Sequence, residues 1–218
     1  MKEGEKEDIR NYHGSLSNSK IKETASQRTF PANSARSISI HVEDLAVGKS
    51  GFLGQPMNAT GKAIVMQESA NRFSGPFSNI SFNKYCGVQE WRNDAIFLWV
   101  NLSNSNEFVN DFLEDGREIT WFGGKRMHDE TNVIQKLIRV GMAAANQELD
   151  PSNGIVLWVR QELAEKKGSF GPYHCLGRLA YSSHEPGSSP LSFVWTLMDY
   201  DRLLAEKSEA VREILQIK

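Results

Sequence analysis

A chain of 218 residues, 39% hydrophobic and 24% charged, has the composition of an ordinary globular domain with room for a sizeable core. Its formal net charge of −2 excludes a global basic field of the kind that marks many nucleic-acid binders, so any anion site must be a local patch. Cys86 and Cys175, far apart and outside any CxxC spacing, exclude a disulfide scaffold. No apolar run approaches the ~20 residues of a membrane-spanning helix.

Residues 1–36 are rich in Ser, Asn, Lys and Glu, with seven Lys or Arg against five Asp or Glu. Such a segment cannot offset its ordering entropy by burial. It predicts a disordered N-terminal tail over 1–36, followed by a single α+β domain over 37–218. The opening MKEGEKED has no apolar stretch of a signal peptide, so the expected location is intracellular, cytoplasmic or nuclear, with both thiols reduced.

From residue 37 the patterning changes. SISIHV (37–42) alternates with period two and predicts a strand, KAIVMQ (62–67) a short strand, and ISFNKY (80–85) another. Gly- and Pro-punctuated loops are expected at 48–61 and 69–79. DAIFLWVNL (94–102) is the most apolar run and predicts a core strand. NEFVNDFLEDG (106–116) reads as a short helix closed by Gly116, and REITWF (117–122) as a strand. DETNVIQKLIRVGMAAANQEL (129–149) is the first clear helix. Val133, Ile134, Leu137 and Ile138 make its apolar face, and Asp129 and Glu130 suit its positive N-terminal end. Strands are then expected at 154–163, 172–183 and 191–199, joined by short connections as an antiparallel meander. Residues 200–218 complete the chain as an amphipathic helix. This order predicts an α+β fold: a mainly antiparallel, curled or partly closed sheet with two principal helices.

The chemistry-bearing stretch is ITWFGGKRMHDET (119–131). Gly123 and Gly124 offer free backbone N–H groups at a helix entry, and Lys125 and Arg126 add two cations. Together they could hold a phosphate, although the GxxxxGK[ST] spacing of a P-loop is absent. The same residues also fit a plain strand-to-helix corner. Trp121 could stack on a base or pack in the core. His128 beside Asp129 and Glu130 could act as a general base, but no nucleophile accompanies it. Arg160 and Arg178 each follow an apolar strand run. If they face the same side of adjacent strands, they could grip a phosphate or a guanine edge, or sit in salt bridges. His174, Cys175 and His184 match no zinc spacing. GxSxG, HExxH, GxGxxG and CxxC are all absent, so neither catalytic residues nor a metal or other cofactor are predicted.

Val159-Arg160, Tyr173, Leu176-Gly177, Tyr181, Ser183-His184-Glu185, Pro190 and Trp195 form a spaced pattern over about 155–197. It resembles the tail of a domain of unassigned function found at the C-terminus of certain bacterial helicase-like and restriction-associated proteins. That resemblance implies handling of DNA without catalysis, and carries Arg160, Tyr173 and Arg178 over as surface candidates. The expected function is therefore non-catalytic nucleic-acid binding, DNA before RNA. The expected contacts are Trp121, Gly123, Gly124, Lys125, Arg126, His128, Arg160, Tyr173 and Arg178. The alternatives are a hydrolase of nucleic acid or a phosphate ester built on His128, Asp129 and Glu130, and a protein-interaction module with a protein partner.

Overall fold

The computed structural model describes residues 42–49, 51–57, 61–73, 87–90, 95–103 and 108–217. The expected tail over 1–36 and the strand at 80–85 lie outside them, as does all but Val42 of the strand expected at 37–42. In chain order the elements are α1 (Val42–Val47), α2 (Lys62–Phe73), β1 (Val88–Glu90), β2 (Ala95–Leu102), β3 (Phe112–Leu113), β4 (Glu118–Phe122), α3 (Asn132–Ala145), β5 (Gly154–Gln161), β6 (His174–Glu185), β7 (Ser192–Leu197), α4 (Tyr200–Ala205) and α5 (Glu209–Ile214).

The seven strands form one sheet in the order β1-β2-β5-β6-β7-β4-β3. Five neighbouring pairs are antiparallel, but β2 and β5 run parallel over eight residue pairs from Ala95↔Gly154 to Leu102↔Gln161. The sheet is therefore mixed. A parallel pair needs a long return crossover, and β3, β4 and α3 supply it. AIFLWV and GIVLWV are buried at every position, because layers cover both faces of these central strands.

One face carries Ile96, Leu98, Val100, Ile155, Leu157, Phe193 and Trp195, packed under Ile134, Leu137 and Val140 of α3. Burying each such side chain stabilises by about 1.5–3 kcal/mol, enough to fix the helix and its entry turn. The other face carries Phe97, Trp99, Val156, Trp158 and Cys175 beneath Leu45 of α1 and Val65 and Met66 of α2. On the first face the Trp121 indole of β4 reaches the position next to Gly87, just before β1, so side chains link distant parts of the sheet.

Three local expectations are corrected. KAIVMQ is the start of α2, not a strand. Val65, Met66 and Ser69 are buried, a helical spacing that six residues alone do not reveal. The helix expected over 106–116 is, where described, the short strand β3 and a 3₁₀ turn at Glu114–Gly116, because Phe112 pairs with Ile119 across the sheet. The C-terminal helix breaks into α4 and α5 at Lys207, whose φ is +50°; Ser208 then caps α5 by accepting the Val211 N–H. The described residues thus hold five α-helices rather than two principal ones. Gly177 lies at a β-bulge opposite Leu157 and Trp158, and its φ of +90° is the left-handed region that glycine tolerates.

Candidate nucleic-acid interface

The GGKR stretch is a tight turn leaving β4. Gly123 is buried and donates its N–H to the Leu191 carbonyl at 2.8 Å. Met127 donates to the Gly124 carbonyl at 2.8 Å, which leaves Lys125 and Arg126 as the two central, exposed residues. Neither makes an ion pair with a described residue. A second turn follows, with Thr131 N–H on the His128 carbonyl at 2.9 Å, and α3 then begins.

Asp129 braces these turns from outside. Its carboxylate accepts the Gly187 N–H at 2.8 Å and lies 3.1 Å from Nε2 of His184. His184 Nδ1 in turn meets the Tyr181 hydroxyl at 2.7 Å, and its ring stacks on Phe193 at 5.1 Å. The loop before α3 is thereby tied to the β6–β7 hairpin. The Gly187 N–H, with a smaller contribution from His184, holds the Asp129 carboxyl below its ordinary pKa. His128, by contrast, is exposed, and its backbone N–H donates to Thr131 Oγ1 at 3.0 Å. The histidine held by Asp129 is His184, 55 positions along the chain. No sequence pattern announced that pairing.

Trp121 is not a surface stacker. It is 2% exposed and packs on Phe193 at 5.6 Å. Its neighbour Phe122 takes the opposite side of β4 and meets Phe108, itself 40% exposed, at 5.5 Å. Strand alternation requires one of two consecutive aromatics to face away from the core, so this pair was discoverable from period two.

The remaining candidates lie elsewhere. β6 runs 12 residues, roughly 40 Å at ~3.3 Å per residue, and the GGKR turn sits toward its Glu185 end. Arg160 and Tyr173 sit toward the other end. Arg160 and Arg178 do share a sheet face, since Arg178 pairs with Val156 and Arg160 lies four residues further along β5. They do not act together. Arg178 is clamped by the buried Asp199 and also meets Glu43 at 3.5 Å. The hydrogen bonds to Asp199 raise its pKa further.

Arg160 donates Nε–H to Asn101 at 2.7 Å, with its guanidinium 4.6 Å from the Phe170 ring and 4.7 Å from that of Tyr173. Tyr173 is fully buried rather than available at the surface. Burial raises its phenol pKa, with Arg160 opposing, and lowers that of His174. Burial also pushes the Cys175 thiol up to about 12, which leaves it neutral. Among the described residues no group of three or more His, Cys, Asp or Glu could hold a metal ion. None of their helices is long and apolar enough to cross a membrane.

No family model and no curated protein matches the chain. Among solved structures it is similar to the MspJI restriction endonuclease in complex with a 27-mer oligonucleotide. The TM-score is 0.40 and the identity 14%, over 58% of this chain and 35% of that one. The match thus spans about a third of that protein's length.

Proposed function

We propose that this chain is a non-catalytic nucleic-acid-binding domain, with DNA its preferred polymer. The observation that carries the reading is the GGKR turn. Lys125 and Arg126 are the exposed central residues of a turn fixed by Gly123, Met127 and Asp129, and no acid pairs with either among the described residues. Cations held in this way meet phosphates without first breaking salt bridges. The Phe108–Phe122 pair beside the turn, with Phe108 exposed and Phe122 half-buried, supplies a ring surface on which a base can stack. The patterned segment at 155–197 supports the same reading, since its resemblance implies a DNA-handling setting.

The residues at 37–218 carry four more acids than bases, so the contact is local and few phosphates are engaged. Charge reversal tests this. Lys125→Glu together with Arg126→Glu should abolish gel-shift binding to duplex DNA while leaving the far-UV circular dichroism spectrum unchanged. Binding that survives the double reversal contradicts the assignment.

A further inference from the structure

An open groove of about 760 Å³ lies past the carboxyl ends of the parallel strands β2 and β5. Sheets with parallel strands keep ligand crevices at those ends. Leu102, the last residue of β2, and Glu162, just after β5, both line it, and the Glu162 N–H donates to the Leu102 carbonyl at 3.0 Å. Val109 and Asp111, ahead of β3, and Glu213 of α5 line it from other parts of the chain.

The groove is acidic. Asp111, Glu162 and Glu213 set three carboxylates around it against one cation, Lys167. Asp111 Oδ1 accepts the Gln216 amide at 2.9 Å and the Phe112 N–H at 2.9 Å. Both donors are uncharged, so the carboxylate is oriented without being neutralised. Glu213 is exposed and forms no ion pair with a described residue. A phosphate polymer is repelled by such a lining, in contrast to the GGKR turn.

The groove also holds apolar side chains at the surface. Leu163 is 48% exposed and Val109 37%. Leu163 is kept there by a closed loop: its N–H donates to the Ser169 carbonyl at 2.8 Å, and the Gly168 N–H donates to Glu162 at 2.5 Å. A partner that covers these side chains meets a backbone already ordered, which lowers the entropic cost of binding.

We propose that this groove docks an arginine- and leucine-bearing segment of a partner protein. Charge complementarity selects that occupant. A guanidinium fork fits the carboxylates of Asp111 and Glu213, and a leucine side chain covers Val109 and Leu163. The proposal goes beyond the nucleic-acid reading and uses none of the residues of the GGKR turn.

The probe is a labelled, unstructured peptide rich in arginine and leucine, titrated against the full chain by fluorescence anisotropy. Two control peptides replace its leucines with serine or its arginines with glutamate. The first peptide should bind saturably, the serine version more weakly and the glutamate version not at all. Glu213→Lys should weaken binding roughly ten-fold by setting like charges together. Lysine near the C-terminal end of α5 suits the helix dipole, so the variant should fold. Leu163→Ser should weaken binding about five-fold through lost apolar contact. Glu148→Lys makes the same charge change at an exposed position that does not line the groove, and should leave affinity at the parent value.

No saturable binding, equal affinity for the serine peptide, or equal losses in Glu148→Lys and Glu213→Lys would each overturn the proposal. Self-association of the parent that Glu213→Lys abolishes would give the groove to a second copy, and would also overturn it. Lys125→Glu with Arg126→Glu should not weaken peptide binding, so this claim and the nucleic-acid reading fail independently.

Discussion

Asp199 closes around Arg178 from three sides. Its Oδ2 accepts the Arg178 backbone N–H at 2.8 Å and Nε–H at 3.0 Å, and its Oδ1 accepts Nη2 at 2.7 Å. The carboxylate is 2% exposed and also fills the space beside Gly177, where an added Cβ would approach Oδ2 to 2.7 Å. The pair joins β6 to the start of α4, so its role is structural.

Removing one partner of a buried pair strands the other charge, at a cost of about 3–5 kcal/mol. Asp199→Ala should lower the unfolding free energy by roughly that amount in a urea titration. Arg178→Ala should also destabilise. For the Arg178 variant, DNA affinity measured below its unfolding midpoint should match the parent.

Gly141 sits where α3 crosses the sheet. A methyl there would lie 2.6 Å from Cζ3 of Trp195 and 3.0 Å from Cβ of Tyr181. Alanine gains about 1 kcal/mol of helix propensity over glycine, whereas overpacking a core costs about 1–3 kcal/mol. Trp195 is fully buried and has little room to yield, so overpacking wins. Gly141→Ala should lower Tm, read by circular dichroism, and an unchanged or raised Tm would contradict the packing described for α3.

Asp129 has a lowered pKa in the fold, chiefly through the Gly187 N–H. The sign follows from linkage. The ionised form is favoured by folding, so its stabilisation is complete above the ordinary carboxylate value of about 3.9 and fades as pH falls below it through the lowered folded value. Asp129→Asn should be less stable than the parent at neutral pH, and the gap should narrow below about pH 4. A gap that stays constant from neutral to acid would show that the carboxylate charge plays no part in bracing the turn.

Cys175 is fully buried, and its thiol pKa of about 12 leaves essentially no thiolate at neutral pH. Peptide mapping after iodoacetamide treatment of the native protein should find Cys175 unmodified. Modification should appear only after denaturant is added.

Much of the sheet was legible because its signals were strong. AIFLWV and GIVLWV are apolar at consecutive positions, which only a strand covered on both faces sustains at that length. KAIVMQ misled because a short apolar run fits two periods, and the buried Ser69 that reveals the helical one bonds back to the Val65 carbonyl at 2.8 Å. The parallel pairing of β2 with β5 depends on the route of the chain between them, which local patterning does not encode. The break at Lys207 needs a left-handed φ at a residue type that seldom adopts one.

The candidate site divided in the same way. Gly124, Lys125 and Arg126, exposed after the buried Gly123, were recognisable as a turn because they are adjacent in sequence. Arg160, Tyr173 and Arg178 were grouped with them through the resemblance at 155–197, and they lie on or beside β6 away from its Glu185 end, where the turn sits. Tyr173 carries the clearest lesson, since an aromatic chosen for the surface proves fully buried with its hydroxyl unpaired.

The central claim is tested most directly by the salt dependence of binding. Anisotropy of a labelled DNA duplex is followed from low to moderate salt for the parent and for Arg126→Ala. Each phosphate contact contributes a slope of about −0.9 to the plot of log affinity against log salt. The account predicts that the parent weakens steeply with salt, and that the variant binds less tightly with a slope shallower by about one contact. Affinity independent of salt, or an identical slope for Arg126→Ala, would contradict it and leave the GGKR turn as a corner of the fold.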